Sequence, residues 1–317
     1  MPRVAAAHLS NPLRALLVES CQNGWWPYAP GSDPSLEATV WCALALKDQP
    51  AVVRLVHDFL LQAQNKDGGW STTPGAGSSD WNTACALIAL DELTKGRQEA
   101  VGSQAAKIRQ ALAAGSNYLI DHRANPHSLL AGLFLILVKG PASRDYPRGW
   151  AWTPDTFNWV EPTSYAMLAL ARTARLMPPE RLKQANAAIR LAADYLLKHI
   201  CAGGGWNYGN NVMLGTHLSA YATTTAAALA ALAPFKSKLD LSQSLSLMRA
   251  TARQMNTPMA LSLSTLALDL HGKAHIKELS MLEALVSPGQ AVHNNFLLAG
   301  LAKCALEVKT LGNPLGV

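Results

Sequence analysis

One phrase recurs along this chain and constrains its architecture more than any local pattern. Each copy is a glycine–tryptophan turn followed by a small-residue helix that closes on alanine and leucine. The first runs from Gln22-Asn23-Gly24-Trp25-Trp26 to Ala43-Leu44-Ala45-Leu46, and the second from Gln64-Asn65-Lys66-Asp67-Gly68-Gly69-Trp70 to Ala86-Leu87-Ile88-Ala89-Leu90. The third runs from Gly149-Trp150 to Met167-Leu168-Ala169-Leu170. The tryptophan-to-leucine interval (Trp26 to Leu46, Trp70 to Leu90, Trp150 to Leu170) is 20 residues each time. A fourth copy, Gly203-Gly204-Gly205-Trp206, reaches Ala231-Leu232 over a longer loop. Internal repetition at this scale means stacked copies of one supersecondary unit, here a helical hairpin.

The periodicity sorts the helices into two classes. Residues 51–65 place Val52, Val53, Val56, Phe59 and Leu60 at helical spacing, and similar charged, one-faced helices are expected at 11–21, 103–121, 179–200, 240–254 and 276–286. A second class is rich in Ala, Leu and Thr: 36–47, 81–92, 127–139, 162–173, 219–233, 258–270 and 292–307. A helix apolar on nearly all sides must be buried on all sides. Alternation of the classes predicts two concentric rings, small-residue helices inside. Six hairpins closed into a ring is the expectation, with 140–160 as an irregular segment replacing an outer helix. No run alternates at period two, so almost no sheet is expected. Within the repeat, Gly permits a tight turn, Trp fills a seam with one donor to place, and Ser, Thr, Asp or Glu opens the inner helix.

Composition narrows the function. Of 317 residues, 49% are apolar and 15% charged, which favours one large core, and no linker divides the chain, so residues 1–317 read as a single domain. Net charge is +6, without a basic stripe interleaved with aromatics, so nucleic acid is not expected as a partner. That charge suits mild attraction to an anionic lipid surface, a peripheral membrane contact. The five cysteines (Cys21, Cys42, Cys85, Cys201, Cys304) form no Cys-x-x-Cys pair, and Cys42 and Cys85 sit in apolar helical runs as small buried thiols. No secretory leader is visible, and the longest apolar run, Leu129 to Val138, is too short to span a bilayer. The expected location is cytoplasmic. No cofactor or metal motif appears, neither a phosphate loop nor a clustered acid set. Two aromatic segments stand out: 149–161, with Trp150, Trp152, Trp159, Asp155 and Glu161, and 203–211, with Trp206 and Tyr208. They read either as ligand-binding loops or as rim-stiffening plugs.

Phe59-Leu60-x-x-x-Gln64-x-x-x-Gly68-x-Trp70 resembles the repeat motif (QW type) of squalene–hopene and oxidosqualene cyclases, which in looser form marks the β subunits of protein prenyltransferases. The resemblance is clear over roughly residues 15–235 and weaker over 256–308. It implies an all-α (α/α)6 toroid with a central cavity that takes an isoprenoid chain. The family's D-x-D-D-T-A and D-C-T-A strings are absent. The corresponding slot, two residues before Thr at the head of an inner helix, holds Glu in Glu37-Ala38-Thr39 and Glu161-Pro162-Thr163, while copy two reads Asp80-Trp81-Asn82-Thr83. Glu37 and Glu161 are therefore the candidate acids, against the simpler reading of first-turn carboxylates complementing a helix dipole. His293 matches the histidine of a prenyltransferase zinc site, but its D-x-C partner is missing and zinc needs three converging ligands, so no metal is expected.

Three functions are open at this point. The first is acid-initiated cyclisation of a polyprene by Glu37 or Glu161. Its substrate contacts would come from Trp26, Trp41, Trp81, Asp80, Trp152, Asp155, Trp159, Tyr208 and His293. The second is a non-catalytic isoprenoid or lipid binder, or an interaction scaffold, on the same fold. The third is a glycan-active toroid with tryptophan platforms and Glu161 and Asp155 as paired acids. Arg144 and Arg148, beside the tryptophan-rich loop, are candidate diphosphate contacts. Oligomeric state and a second-toroid partner are not legible.

Overall fold

The computed structural model describes residues 12–96, 104–123, 149–154, 156–287 and 289–317. Thirteen α-helices occur among these: α1 (residues 12–19), α2 (Leu36–Ala45), α3 (Pro50–Ala63), α4 (Asn82–Thr94), α5 (Ala105–Asp121), α6 (Val160–Thr173), α7 (Pro179–Lys198), α8 (Ala222–Leu232), α9 (Ser242–Met255), α10 (Pro258–Leu270), α11 (Ile276–Leu285), α12 (Phe296–Leu306) and α13 (Val308–Leu311). The even-numbered helices α2 to α12 form the inner ring. Each packs on the next, and α12 packs back on α2. Each is preceded by an odd-numbered outer helix, so the chain is an (α/α)6 toroid.

The two helix classes behave as their sequences dictate. In α3, Val52, Val53, Val56 and Leu60 are buried while Arg54, Leu55 and Asp58 face solvent. In α7 the buried stripe is Ala185, Ala188, Ile189, Ala192 and Leu196. The inner helices have no solvent side. All of α2 from Ala38 to Ala45 is buried, as is α10 from Ala260 to Leu268. Small residues allow such close approach. A Cβ on Gly300 of α12 would lie 2.8 Å from the Cys42 backbone nitrogen on α2, and that contact closes the ring.

The repeated tryptophans lock the hairpins. Trp26, Trp70, Trp150 and Trp206 each donate an indole N–H to a leucine carbonyl of the outer helix (Leu17, Leu60, Leu119, Leu196) at 2.8, 2.8, 2.9 and 2.6 Å. Each backbone N–H donates to a threonine hydroxyl in the following inner helix (Thr39, Thr83, Thr163, Thr225) at 2.9–3.0 Å. The same hydroxyl donates back to that tryptophan's carbonyl. Every polar group of the lock is thus satisfied while buried. In three copies a glycine precedes the tryptophan (Trp25 does so in the first), and the third copy requires it: a Cβ on Gly149 would sit 2.2 Å from Thr163 Oγ1. The last two hairpins, α9–α10 and α11–α12, carry no tryptophan, which explains the weaker resemblance there.

Several expectations are adjusted. The inner-type stretch 127–139 lies outside the described residues, as do Arg144, Arg148 and Asp155. Among the described residues α4 packs directly on α6, and α5 stands as the outer partner of α6. The stretch 292–307 is split: a 3-10 turn (Ala291–Asn294) precedes Asn295, whose side chain caps α12 by accepting the Leu298 N–H at 3.0 Å. A two-stranded antiparallel hairpin, Val212–Met213 with Thr216–His217, occupies the longer loop of the fourth repeat.

The two ends of the ring differ. At the C-terminal ends of the inner helices the chain's last residues cross the ring. Asn313 donates to the Leu266 carbonyl of α10 at 2.8 Å, Leu315 is buried, and Arg172 of α6 donates to the Pro314 carbonyl at 2.9 Å and to Gly316. Buried ion pairs underlie this tail: Arg172 with Asp91 at 3.0 Å and with Glu92, and Lys47 with Glu92 at 2.5 Å. No helix among the described residues is long and apolar enough to cross a membrane.

Candidate active site at the mouth of the ring

The other end, where the inner helices begin, gathers the candidate acids. Glu37 stands in the first turn of α2 and Glu161 in the first turn of α6, and these helices flank α4. Both side chains are partly reached by solvent, although protein encloses most of their surroundings. Beyond the first turn the inner helices stay buried until their last turn. The acids therefore stand where the inner helices open to solvent at the mouth.

Enclosure tunes the acids. Burial and the negative charge of Glu37 push the Glu161 carboxyl up to about 7. Burial also raises Glu37, opposed by a 2.6 Å hydrogen bond donated by the Tyr28 hydroxyl. Burial raises Tyr28 in turn, reinforced by the Glu37 charge. Below the acids, Cys85 of α4 and Tyr165 of α6 are fully enclosed. Burial holds both in their neutral forms, aided by the charges of Glu37 and Glu161. Tyr28 also fixes its own loop, since its carbonyl accepts the Phe296 N–H at the head of α12, 2.9 Å away.

Aromatic residues surround the acids. Three of the six inner helices begin on an aromatic cap: Trp81 before α4, Trp159 before α6 and Tyr221 before α8. Trp81 meets Trp152 edge-on at 4.7 Å and Tyr165 at 5.8 Å. Trp159 meets Tyr208 edge-on at 6.4 Å, and Tyr208 meets Tyr221 at 5.3 Å. The loops holding them are pinned: the Trp81 N–H donates to the Trp152 carbonyl, the Trp159 N–H to the Trp150 carbonyl and the Val160 N–H to the Tyr208 carbonyl. Trp81, Trp152 and Trp159 are partly accessible and Tyr208 is exposed, so aromatic faces are available at the rim.

The remaining expected site residues are engaged in packing or in local hydrogen bonds. Trp26 is a seam lock with no exposed surface, and Trp41 is buried in the body of α2 where α12 crosses it. Neither reaches the mouth, because the repeat spends its tryptophans on packing. The Asp80 carboxylate accepts from the Thr72 N–H and hydroxyl, both at 2.7 Å, and from the Asn82 N–H at 2.8 Å; it folds its loop against the head of α4. His293 sits on the 3-10 turn with Nε2 3.2 Å from the Val286 carbonyl oxygen. No group of three metal-binding side chains occurs among the described residues. Sequence reasoning missed Tyr28, Tyr165 and Tyr221. Tyr221 carried a signal, standing where Trp81 and Trp159 stand before their helices.

No family model matches the chain, and no curated protein matches it in sequence. Solved structures do match. Apo type II terpene cyclase MstE from Scytonema aligns over 98% of this chain and 99% of its own, with a TM-score of 0.57 and 14% identity. An MstE variant in complex with the product merosterolic acid A gives 0.54 and 13% over the same shares. A double mutant of Rex8A from Paenibacillus barcinonensis gives 0.60 and 11%, over 98% of this chain and 94% of its own. Another Rex8A variant is complexed with xylose. The likeness is one of fold. It places the chain among α/α toroids that include a terpene cyclase, and it carries no residue-level correspondence.

Proposed function

We propose that the chain is an acid–base enzyme working at the mouth of the ring on an isoprenoid-type substrate, with Glu161 as proton donor and Glu37 as its charged partner. The observation behind this reading is the coupled pair itself: two first-turn carboxyls on helices flanking α4, one raised to about 7 by burial and by the other's charge. The Tyr28 hydrogen bond favours the charge on Glu37 and the proton on Glu161. Near neutrality such an acid is poised to give and take a proton. It is too weak an acid for a bare alkene and suited to oxygen, so the reading narrows to an apolar chain bearing an epoxide or allylic oxygen. Glu161 protonates that oxygen, the C–O bond breaks with its electron pair leaving on oxygen, and a carbocation forms. Neighbouring alkene electrons close a ring, and the product cation loses a proton to Glu37. Trp81, Trp152, Trp159 and Tyr208 offer π faces to the cation. The fold shared with a terpene cyclase seen in complex with its product, merosterolic acid A, supports this reading.

A second reading rests on the same pair and on the accessible tryptophans. Paired carboxyls under aromatic platforms suit glycoside hydrolysis, and Rex8A shares the fold. One experiment separates the two. The protein, Glu161→Gln and Glu37→Gln are incubated with squalene, oxidosqualene, epoxidised prenyl chains and xylo-oligosaccharides. Products are read by gas chromatography–mass spectrometry and by reducing-end release. Our reading expects a cyclic product from an epoxide-bearing chain, reduced at least 100-fold by Glu161→Gln, with squalene unchanged. Sugar release lost in Glu161→Gln would transfer the site to glycans. Substrate retained unaltered would make the toroid a binder.

A further inference from the structure

The face opposite the mouth carries a second cleft, where α4, α5 and the end of α6 meet beside the tail. Its volume is about 510 Å3, within the ~300–1,000 Å3 usual for small-molecule sites. Its floor is apolar: Ala105 of α5, Ala171 of α6, and Ala174 and Leu176 just beyond α6, all partly accessible, over the buried Ile108 and Leu112. Its edge is cationic: Lys95, Arg109 and Arg175. Arg172 also lines it but is committed to Asp91, Glu92 and the tail carbonyls. Asp91 is the one side-chain carboxylate in the lining, and it is held by Arg172 and, at 2.5 Å, by Arg175. Lys95 and Arg109 are exposed and make no ion pair among the described residues.

We propose that this cleft binds an anionic amphiphile, with a carboxylate or phosphate head against Lys95 and Arg109 and an aliphatic chain laid on Ala105, Ala171, Ala174 and Leu176. The floor alone would take any apolar molecule, because burying its surface is favourable whatever the ligand's head. The uncompensated cations select charge, since a head group at the edge gains charge-assisted hydrogen bonds that a neutral chain lacks. A ligand enters here without crossing the mouth, so the site is independent of the acid pair and of any reaction there.

The test is isothermal titration calorimetry of the whole chain with monomeric dodecanoate, dodecyl phosphate and dodecanol. One anion should bind per chain, at least tenfold more tightly than dodecanol. Lys95→Glu and Arg109→Glu, both on the surface and checked for fold by circular dichroism, should each weaken the anions at least tenfold. Ala105→Trp, which fills the cleft, should remove binding. The preference between dodecanoate and dodecyl phosphate distinguishes a fatty-acid source from a lipid-phosphate one. The proposal is overturned if the anions bind no better than dodecanol, if neither charge reversal weakens them by threefold, or if Glu161→Gln removes binding and so moves it to the mouth.

Discussion

Replacing Glu161 by Gln should make this protein more stable in alkaline solution while leaving it nearly unchanged in acid. The carboxyl stands near 4.5 in the unfolded chain and at about 7 in the folded one. The folded state thus holds a proton that the unfolded state releases earlier. The resulting stability is fully present below 4.5 and is lost as pH rises through about 7. At about 1.4 kcal/mol per pH unit, the whole span corresponds to about 3 kcal/mol. Partial solvent access at the mouth reduces the expectation to about 2 kcal/mol. Glutamine keeps the size and carries no charge, so the variant escapes the loss. Urea denaturation of both proteins at pH 5 and pH 8.5 measures it. The stability difference between variant and wild type should move by about 2 kcal/mol in the variant's favour between the two conditions. A difference independent of pH would refute the account, because the Glu161 charge would then not be enclosed.

Turnover of the productive substrate should decline as pH rises through about 7, when Glu161 loses its proton; a rate that is flat to pH 9 would remove Glu161 as donor. Thr83→Val strips the hydroxyl that both accepts from and donates to the buried Trp70 backbone. It should cost about 1–3 kcal/mol in urea unfolding, with Thr83→Ser recovering most of it. Gly149→Ala forces a Cβ against the Thr163 hydroxyl and should cost about 1–3 kcal/mol, seen as a lowered Tm. Arg172→Ala leaves buried Asp91 and Glu92 short of a partner, with an expected cost of about 3–5 kcal/mol. Hydrogen exchange should show the backbone at 313–316 losing protection in that variant.

The toroid was legible because its unit is local. Glycine, tryptophan and inner helix lie within about twenty residues, and the apolar periods separate outer helices from inner ones without help from distant contacts. The threonine of the lock was visible only as a helix opener. Its partnership with the tryptophan backbone needs the hairpin to be folded. The acids were legible by position, Glu37 and Glu161 both standing two before a threonine, but their coupling was not. It arises because stacking of successive hairpins sets α2 and α6 on either side of α4, with the two acids more than a hundred residues apart in sequence. Asp80 shows the converse. A carboxylate beside an inner helix looks available for chemistry until its loop folds back and saturates it. The Asp91–Arg172 network joins residues 81 positions apart and leaves no pattern in the chain.

The seam between α12 and α2 also sets a timetable. Cys42 reaches the Phe296 carbonyl across 254 residues of sequence, so the first inner helix finds its second neighbour only when the last one has been synthesised. Until then α2, apolar on every side, has one flank uncovered, the situation in which nascent chains associate wrongly. Five hairpins can stack in order of emergence. The sixth must slot between two finished walls, and the glycine at position 300 makes the gap passable, since any larger residue would meet the α2 backbone before the circle shut. This protein should therefore reach its working form in a single late event, with local helices forming long before the ring exists.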